Sequence, residues 1–150
     1  MTDNPPPLRL YVCHEPECAS YAERIDFGPR SNDDAAEYAA RCTLAPDDPA
    51  AGPILRRLVV QIEDADVFVC IISQTAGRDP WVRWEVRAAR ARGSAIGLVG
   101  VLLDERHTPP EEMKDCGAIF VPFRRTSVAR AIEWAQTERH DSGDFTLLDE

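Results

Sequence analysis

Apolar positions along the chain fall into two alternating kinds of run. Val67-Phe68-Val69-Cys70-Ile71-Ile72 is unbroken and rich in β-branched and aromatic residues, as a parallel strand covered on both faces should be. Ala95 to Leu103 is a second such run, ending at Asp104. Ala118-Ile119-Phe120-Val121 is a shorter third, and Leu8 to Cys13 predicts a strand near the start, ending at His14-Glu15-Pro16. Between these runs apolar residues recur every three or four positions. Ile54, Leu55, Leu58, Val59 and Ile62 predict a helix over 53–64, and Val128, Ala131, Ile132 and Ala135 predict a closing helix. A shorter helix is expected from Cys18 to Ile25. The stretch 28–49 is the least regular. Gly28-Pro29 and Ser31 to Asp34 open a loop, Asp34 to Arg41 reads as helical, and Cys42-Thr43-Leu44 as a short second strand.

One helix carries an anomaly. Asp79 can cap its free N–H groups and Pro80 suits its first position, with Gly93 as a stop. At about 100° per residue, Trp81, Trp84, Glu85 and Ala88 share one face, and Arg83, Arg87 and Arg90 gather on the opposite, solvated one. The face that should be buried therefore holds a carboxylate, which is costly unless it is paired, protonated or open to a cleft.

Strands alternating with helices predict an α/β domain, and right-handed crossovers wind five parallel strands most simply in the order 2-1-3-4-5. Ligands of such sheets bind outside the carboxyl ends of the strands, where the winding reverses, here between strands one and three. His14 after strand one, the loop Ser73–Asp79 after strand three, and Trp81 and Glu85 on the next helix all converge there. For each a structural role competes with a functional one: an ion pair for Glu85, core packing for Trp81 and Trp84, loop hydrogen bonds for His14 and Ser73.

Composition narrows the field. With 150 residues the chain makes one ordinary domain, expected over 8–139 between a proline-rich leader, 1–7, and an acidic tail, 140–150. A net charge of −9 with no basic stripe argues against nucleic acid as a partner. No signal peptide or membrane-length apolar run is present, so a cytoplasmic protein with reduced thiols is expected. Cys13-His14 and Cys18 lack a second ligand pair, and no metal is expected. Strand three ends Ile72-Ser73 rather than in the aspartate of a phosphate-receiving domain. No glycine fingerprint for a P-loop or dinucleotide site follows any strand.

The series Ile62 to Thr75, then Trp81-Val82-Arg83-Trp84-Glu85-Val86 and Ala95-Ile96-Gly97, resembles the bacterial TIR-like (Toll/interleukin-1 receptor-like) proteins, most closely those of the Thoeris anti-phage defence system. The match covers about 54–103, and more loosely extends to Trp134. The resemblance implies a flavodoxin-like, three-layer TIR fold and cleavage or cyclisation at the nicotinamide–ribose bond of NAD, with NAD as substrate and no separate cofactor. Glu85, four residues after Trp81, falls on the family's catalytic glutamate, and His14, Ser73 and Trp81 are the expected substrate-binding residues. The family's Phe-x-Ser-Phe at strand one is replaced by Tyr11-Val12-Cys13-His14, and no family motif is placed within 28–49. The expected partners are NAD, a separate effector that responds to the product, and further copies of the chain in an active homo-oligomer. Two alternatives are a catalytically silent TIR adaptor and a nucleoside 2-deoxyribosyltransferase-like enzyme. Glu85→Gln and Glu85→Ala are both expected to spare the fold and abolish turnover.

Overall fold

A computed structural model describes residues 8–32, 44–137 and 142–146. Strand β1 (Leu10–Cys13) leads through a 3-10 turn into a one-turn helix α1 (Ala19–Ala22). Helix α2 (Gly52–Glu63), strand β2 (Val67–Ile72), helix α3 (Pro80–Arg90) and strand β3 (Gly97–Leu102) follow. Strand β4 (Ala118–Pro122), helix α4 (Arg125–Thr137) and strand β5 (Asp144–Thr146) complete the order. All five strands are parallel.

Alternation along each strand divides the core in two. Tyr11, Cys13, Phe68, Cys70, Ile72 and Phe120 point to the face covered by α2 and α3. Leu10, Val12, Val67, Val69, Ile71, Val99 and Val101 point to the other face, beneath α1 and α4. The α/β domain with a central parallel sheet expected from the apolar runs is thus present, with helices on both faces.

The strand order is β1-β2-β3-β4-β5, which corrects the expected 2-1-3-4-5. The second strand was placed on Cys42-Thr43-Leu44. Cys42 and Thr43 lie outside the described residues, as does the helix expected at 34–41. Leu44 is not in a strand, and its carbonyl accepts the Trp81 indole N–H at 2.7 Å. Among the described residues, the outer side of β1 is met by residues 29–32. Leu10 makes a parallel bridge with Arg30, flanked by bonds to Pro29 and Ser31. One residue further, the Asn32 side chain accepts from Val12 N at 3.0 Å and donates to Val12 O at 2.7 Å. A second departure lies at the other end: Asp144–Thr146, within the stretch expected to be a tail, pairs with β4.

Gly97 shows why a residue without a side chain opens β3. A Cβ there would lie 2.8 Å from the carbonyl carbon of Ala135 on α4, which is backbone and has no rotamer to yield. Gly97→Ala is expected to cost about 1–3 kcal/mol, the scale of overpacking. The urea midpoint measures it, and an unchanged midpoint would show that α4 does not press on β3. Among the described residues, no helix is long and apolar enough to cross a membrane.

Candidate functional site

Helix α3 begins as its sequence predicts. The Asp79 carboxylate accepts from Trp81 N at 2.8 Å and Val82 N at 3.2 Å, and Pro80 needs no acceptor. Trp81, Val82, Glu85, Val86 and Ala89 form the buried face, while Trp84 is only half-buried. The three arginines on the opposite face are exposed, as expected, and also hold the segment before β4. Arg83 and Arg87 reach Glu112 at 2.9 and 3.6 Å, and Arg90 donates to the carbonyls of Glu112 and Asp115. At the far end Arg92 donates to the carbonyls of Ile62 and Ala65, tying the end of α3 to the end of α2.

Glu85 has no solvent exposure. Its Oε2 accepts the Tyr11 phenol at 2.5 Å, a bond between α3 and β1 residues 74 positions apart. Tyr11 in turn stacks on Phe68, with centroids 5.4 Å apart and planes 12° from parallel. A phenol donating to a carboxylate in a dry setting is a strong, charge-assisted bond, which offsets part of the cost of burying the acid. Trp81 lies one turn nearer the carboxyl edge of the sheet on the same helix face, its indole fixed to Leu44.

His14 and Ser73 belong to a second group, built around a residue that sequence reading passed over. Glu15, 6% exposed, accepts the hydroxyls of Ser73, in a short bond, and of Thr75 at 2.7 Å. His14, 3% exposed, sits beside it with Nδ1 2.6 Å from the Glu15 carbonyl. A carbonyl only accepts, so Nδ1 carries the proton in that bond. The turn after β1 and the loop after β2 are thereby joined across 58 to 60 positions of sequence. Glu15 reads in the sequence as part of a strand-ending turn before Pro16, and nothing local marks it as buried.

The same cluster acts on Cys18. Burial, reinforced by Glu15 and Glu17 and opposed by a hydrogen bond with Ser73, pushes its thiol from 9.0 up to about 11. The folded value lies above the unfolded one, so the associated stability is complete below about pH 9 and is lost as pH rises towards 11. Urea midpoints should therefore fall across that interval, and fall less in Cys18→Ala. An equal fall in both proteins would remove Cys18 as a source. Among the described residues, no three His, Cys, Asp or Glu side chains are grouped to hold a metal ion.

Beside the Ser73–Asp79 loop, at the carboxyl ends of β2 and β3, lies a cleft of about 670 Å³. Gln74, Arg78, Asp104, Arg106, His107 and Thr108 line it, and Glu85 does not. Fold and site together define a parallel α/β domain with two buried carboxylates, each accepting hydroxyl groups, next to the sheet's carboxyl edge. No protein-family model matches the chain, and neither a curated protein nor a solved structure matches it.

Proposed function

We propose that the chain is a TIR-like enzyme that cleaves NAD at the nicotinamide–ribose bond, with Glu85 as the reacting carboxylate. The observation that carries this reading is a glutamate with no solvent exposure on the helix after a central strand, accepting the Tyr11 phenol. In this proposal the surrounding core amplifies the field of the carboxylate. That is the property the chemistry needs. When the bond from C1′ to the nicotinamide nitrogen breaks, the nitrogen keeps both electrons and nicotinamide leaves neutral, so no general acid is required. Positive charge develops on the ribose C1′ and ring oxygen, opposite the carboxylate. Water then gives ADP-ribose, and an internal nucleophile gives a cyclised derivative.

In this proposal His14 and Ser73, gathered round Glu15, sit on the substrate side of the carboxyl edge. Trp81 stands between that edge and Glu85, so access for the sugar requires the Trp81–Leu44 contact to part. A TIR-type fold, a cytoplasmic setting, assembly into an active homo-oligomer and a product read by a separate effector in anti-phage defence belong to the same proposal. A second reading, a catalytically silent interaction module, draws support from the same burial: a carboxylate closed to solvent and bonded to Tyr11 serves as well to lock α3 onto β1. Incubation with NAD, with products separated by chromatography and identified by mass, decides between them. Nicotinamide release together with ADP-ribose or an isomer supports the enzyme. Intact NAD across a wide range of protein concentrations supports the silent module, and cleavage of deoxynucleosides in place of NAD points to the deoxyribosyltransferase alternative.

A further inference from the structure

The cleft between the loops after β2 and β3 plays no part in the chemistry at Glu85. One wall is the 3-10 turn Ala76–Arg78 and the other is the segment Asp104–Glu111. The second wall is anchored twice. His107 Nδ1 donates to the carbonyl of Ile72 at 3.2 Å, and His107 N bonds the Asp104 carbonyl at 2.9 Å. Gly77 lies against Pro110, where even an added Cβ would meet only ordinary contact at 3.6 Å. The cavity is thus bounded by a fixed segment and a short turn, not by long side chains alone.

The lining holds two arginines, Arg78 and Arg106, and two acids, Asp104 and Glu111, and both acids are already engaged by cations other than Arg78. Asp104 is matched by Arg106, which donates to it through Nε at 3.0 Å, Nη2 at 2.8 Å and its backbone N at 2.9 Å. Glu111 is matched by Lys114 at 2.9 Å. Arg78 has no acidic partner among the described residues. The cleft therefore keeps one uncompensated guanidinium on a chain whose net charge is −9. Gln74 and Thr108 add neutral donors beside it, and Arg106 has N–H groups to spare beyond those given to Asp104.

We propose that this cleft binds a phosphate-bearing small molecule of about nucleotide size, with Arg78 as the residue that recognises the anion. Three points favour this ligand class. Open α/β sheets take ligands outside the carboxyl ends of their strands, where this cleft lies. A guanidinium fork suits oxyanions, and a tetrahedral phosphate uses donors arriving from several directions better than a planar carboxylate does. The volume lies within the range of small-molecule sites, roughly 300–1,000 Å³, and far exceeds what a bare phosphate fills. The site is independent of the NAD reading.

Calorimetric titration of the full chain with AMP, ribose 5-phosphate, citrate and adenosine tests the proposal. AMP and ribose 5-phosphate are expected to bind saturably, and adenosine and citrate at least about tenfold more weakly, the equivalent of one charge-assisted contact. Arg78→Gln, an exposed position where folding is not at stake, should weaken AMP by about tenfold or more, with partial recovery in Arg78→Lys. Glu85→Gln should bind AMP like the wild type. The proposal is overturned by absence of saturable binding of either phosphate, by adenosine or citrate binding as well as AMP, or by an unchanged affinity in Arg78→Gln. Loss of AMP binding in Glu85→Gln with retention in Arg78→Gln would move the ligand to the other site and overturn it equally.

Discussion

Glu85→Gln is expected to keep the fold and to lower NAD turnover by at least about a hundredfold, the scale of removing one transition-state electrostatic partner. Glutamine has nearly the shape of glutamate, and its amide oxygen can still accept from Tyr11, so the link between α3 and β1 survives. Only the charge opposite the developing ribose cation is lost. Product analysis and a thermal melt on the same preparation give the two readouts together. Turnover unchanged beside a native melt would sink the catalytic role of Glu85. Turnover lost because the protein melts early would leave that role undecided by this variant, but the isosteric exchange makes this outcome the unexpected one. Glu85→Ala is a different experiment from the one its sequence suggests. The side chain has no exposure at all, so alanine leaves a cavity and takes the acceptor from Tyr11. A cost of about 2–5 kcal/mol is expected, enough to confound an activity measurement.

The second large effect is expected at Tyr11. Tyr11→Phe keeps the stacking on Phe68 but removes the 2.5 Å donor to Glu85. A buried carboxylate deprived of a charge-assisted bond destabilises by about 1–3 kcal/mol. Removing both polar partners should cost less than the two single changes add up to, because an apolar pair of similar shape leaves neither group stranded. Urea midpoints for Tyr11→Phe, Glu85→Leu and the double variant measure that coupling. Strict additivity would show that the two side chains do not depend on one another. If Glu85 is the reacting group, Tyr11→Phe should also alter turnover at fixed fold, since the phenol sets where the carboxylate points. The silent-module reading expects the stability effect alone.

The parts of this fold that were legible are those in which local pattern and burial coincide. Val67–Ile72 is apolar at every position because both faces of β2 are covered, and the burial of Trp81 and Glu85 follows from 100° spacing. Trp84 and Ala88, read onto the same face, are half-buried, and Val82, Val86 and Ala89 are buried beside them. What could not be read depends on partners far away in the chain. Glu15 is buried because Ser73 and Thr75 arrive beside it from another loop. That the exposed arginines of α3 also bind Glu112 could not be read, because Glu112 belongs to a different segment. Strand β5 has no apolar alternation to announce it. Its corner is held by side chains: Asp115 accepts from Gly143 N at 2.6 Å, while Asp115 N donates to Asp144 at 2.8 Å. Of the expected second strand, Cys42-Thr43-Leu44, only Leu44 is among the described residues, and it is not in a strand. Among those residues β1 is met on its outer side by a backbone bridge and one amide side chain.

That amide has a consequence for how copies of the chain meet. In a parallel ladder alternate residues of β1 turn their peptide groups away from β2, and here those residues are Leu10 and Val12. An exposed row of such groups is a template on which another chain's strand can grow. Val12 is engaged by Asn32, whose carboxamide satisfies one N–H and one C=O. At the opposite margin the described part of β5 is three residues long. Among the described residues, a strand approaching from another molecule would thus find Val12 already engaged and three residues of β5.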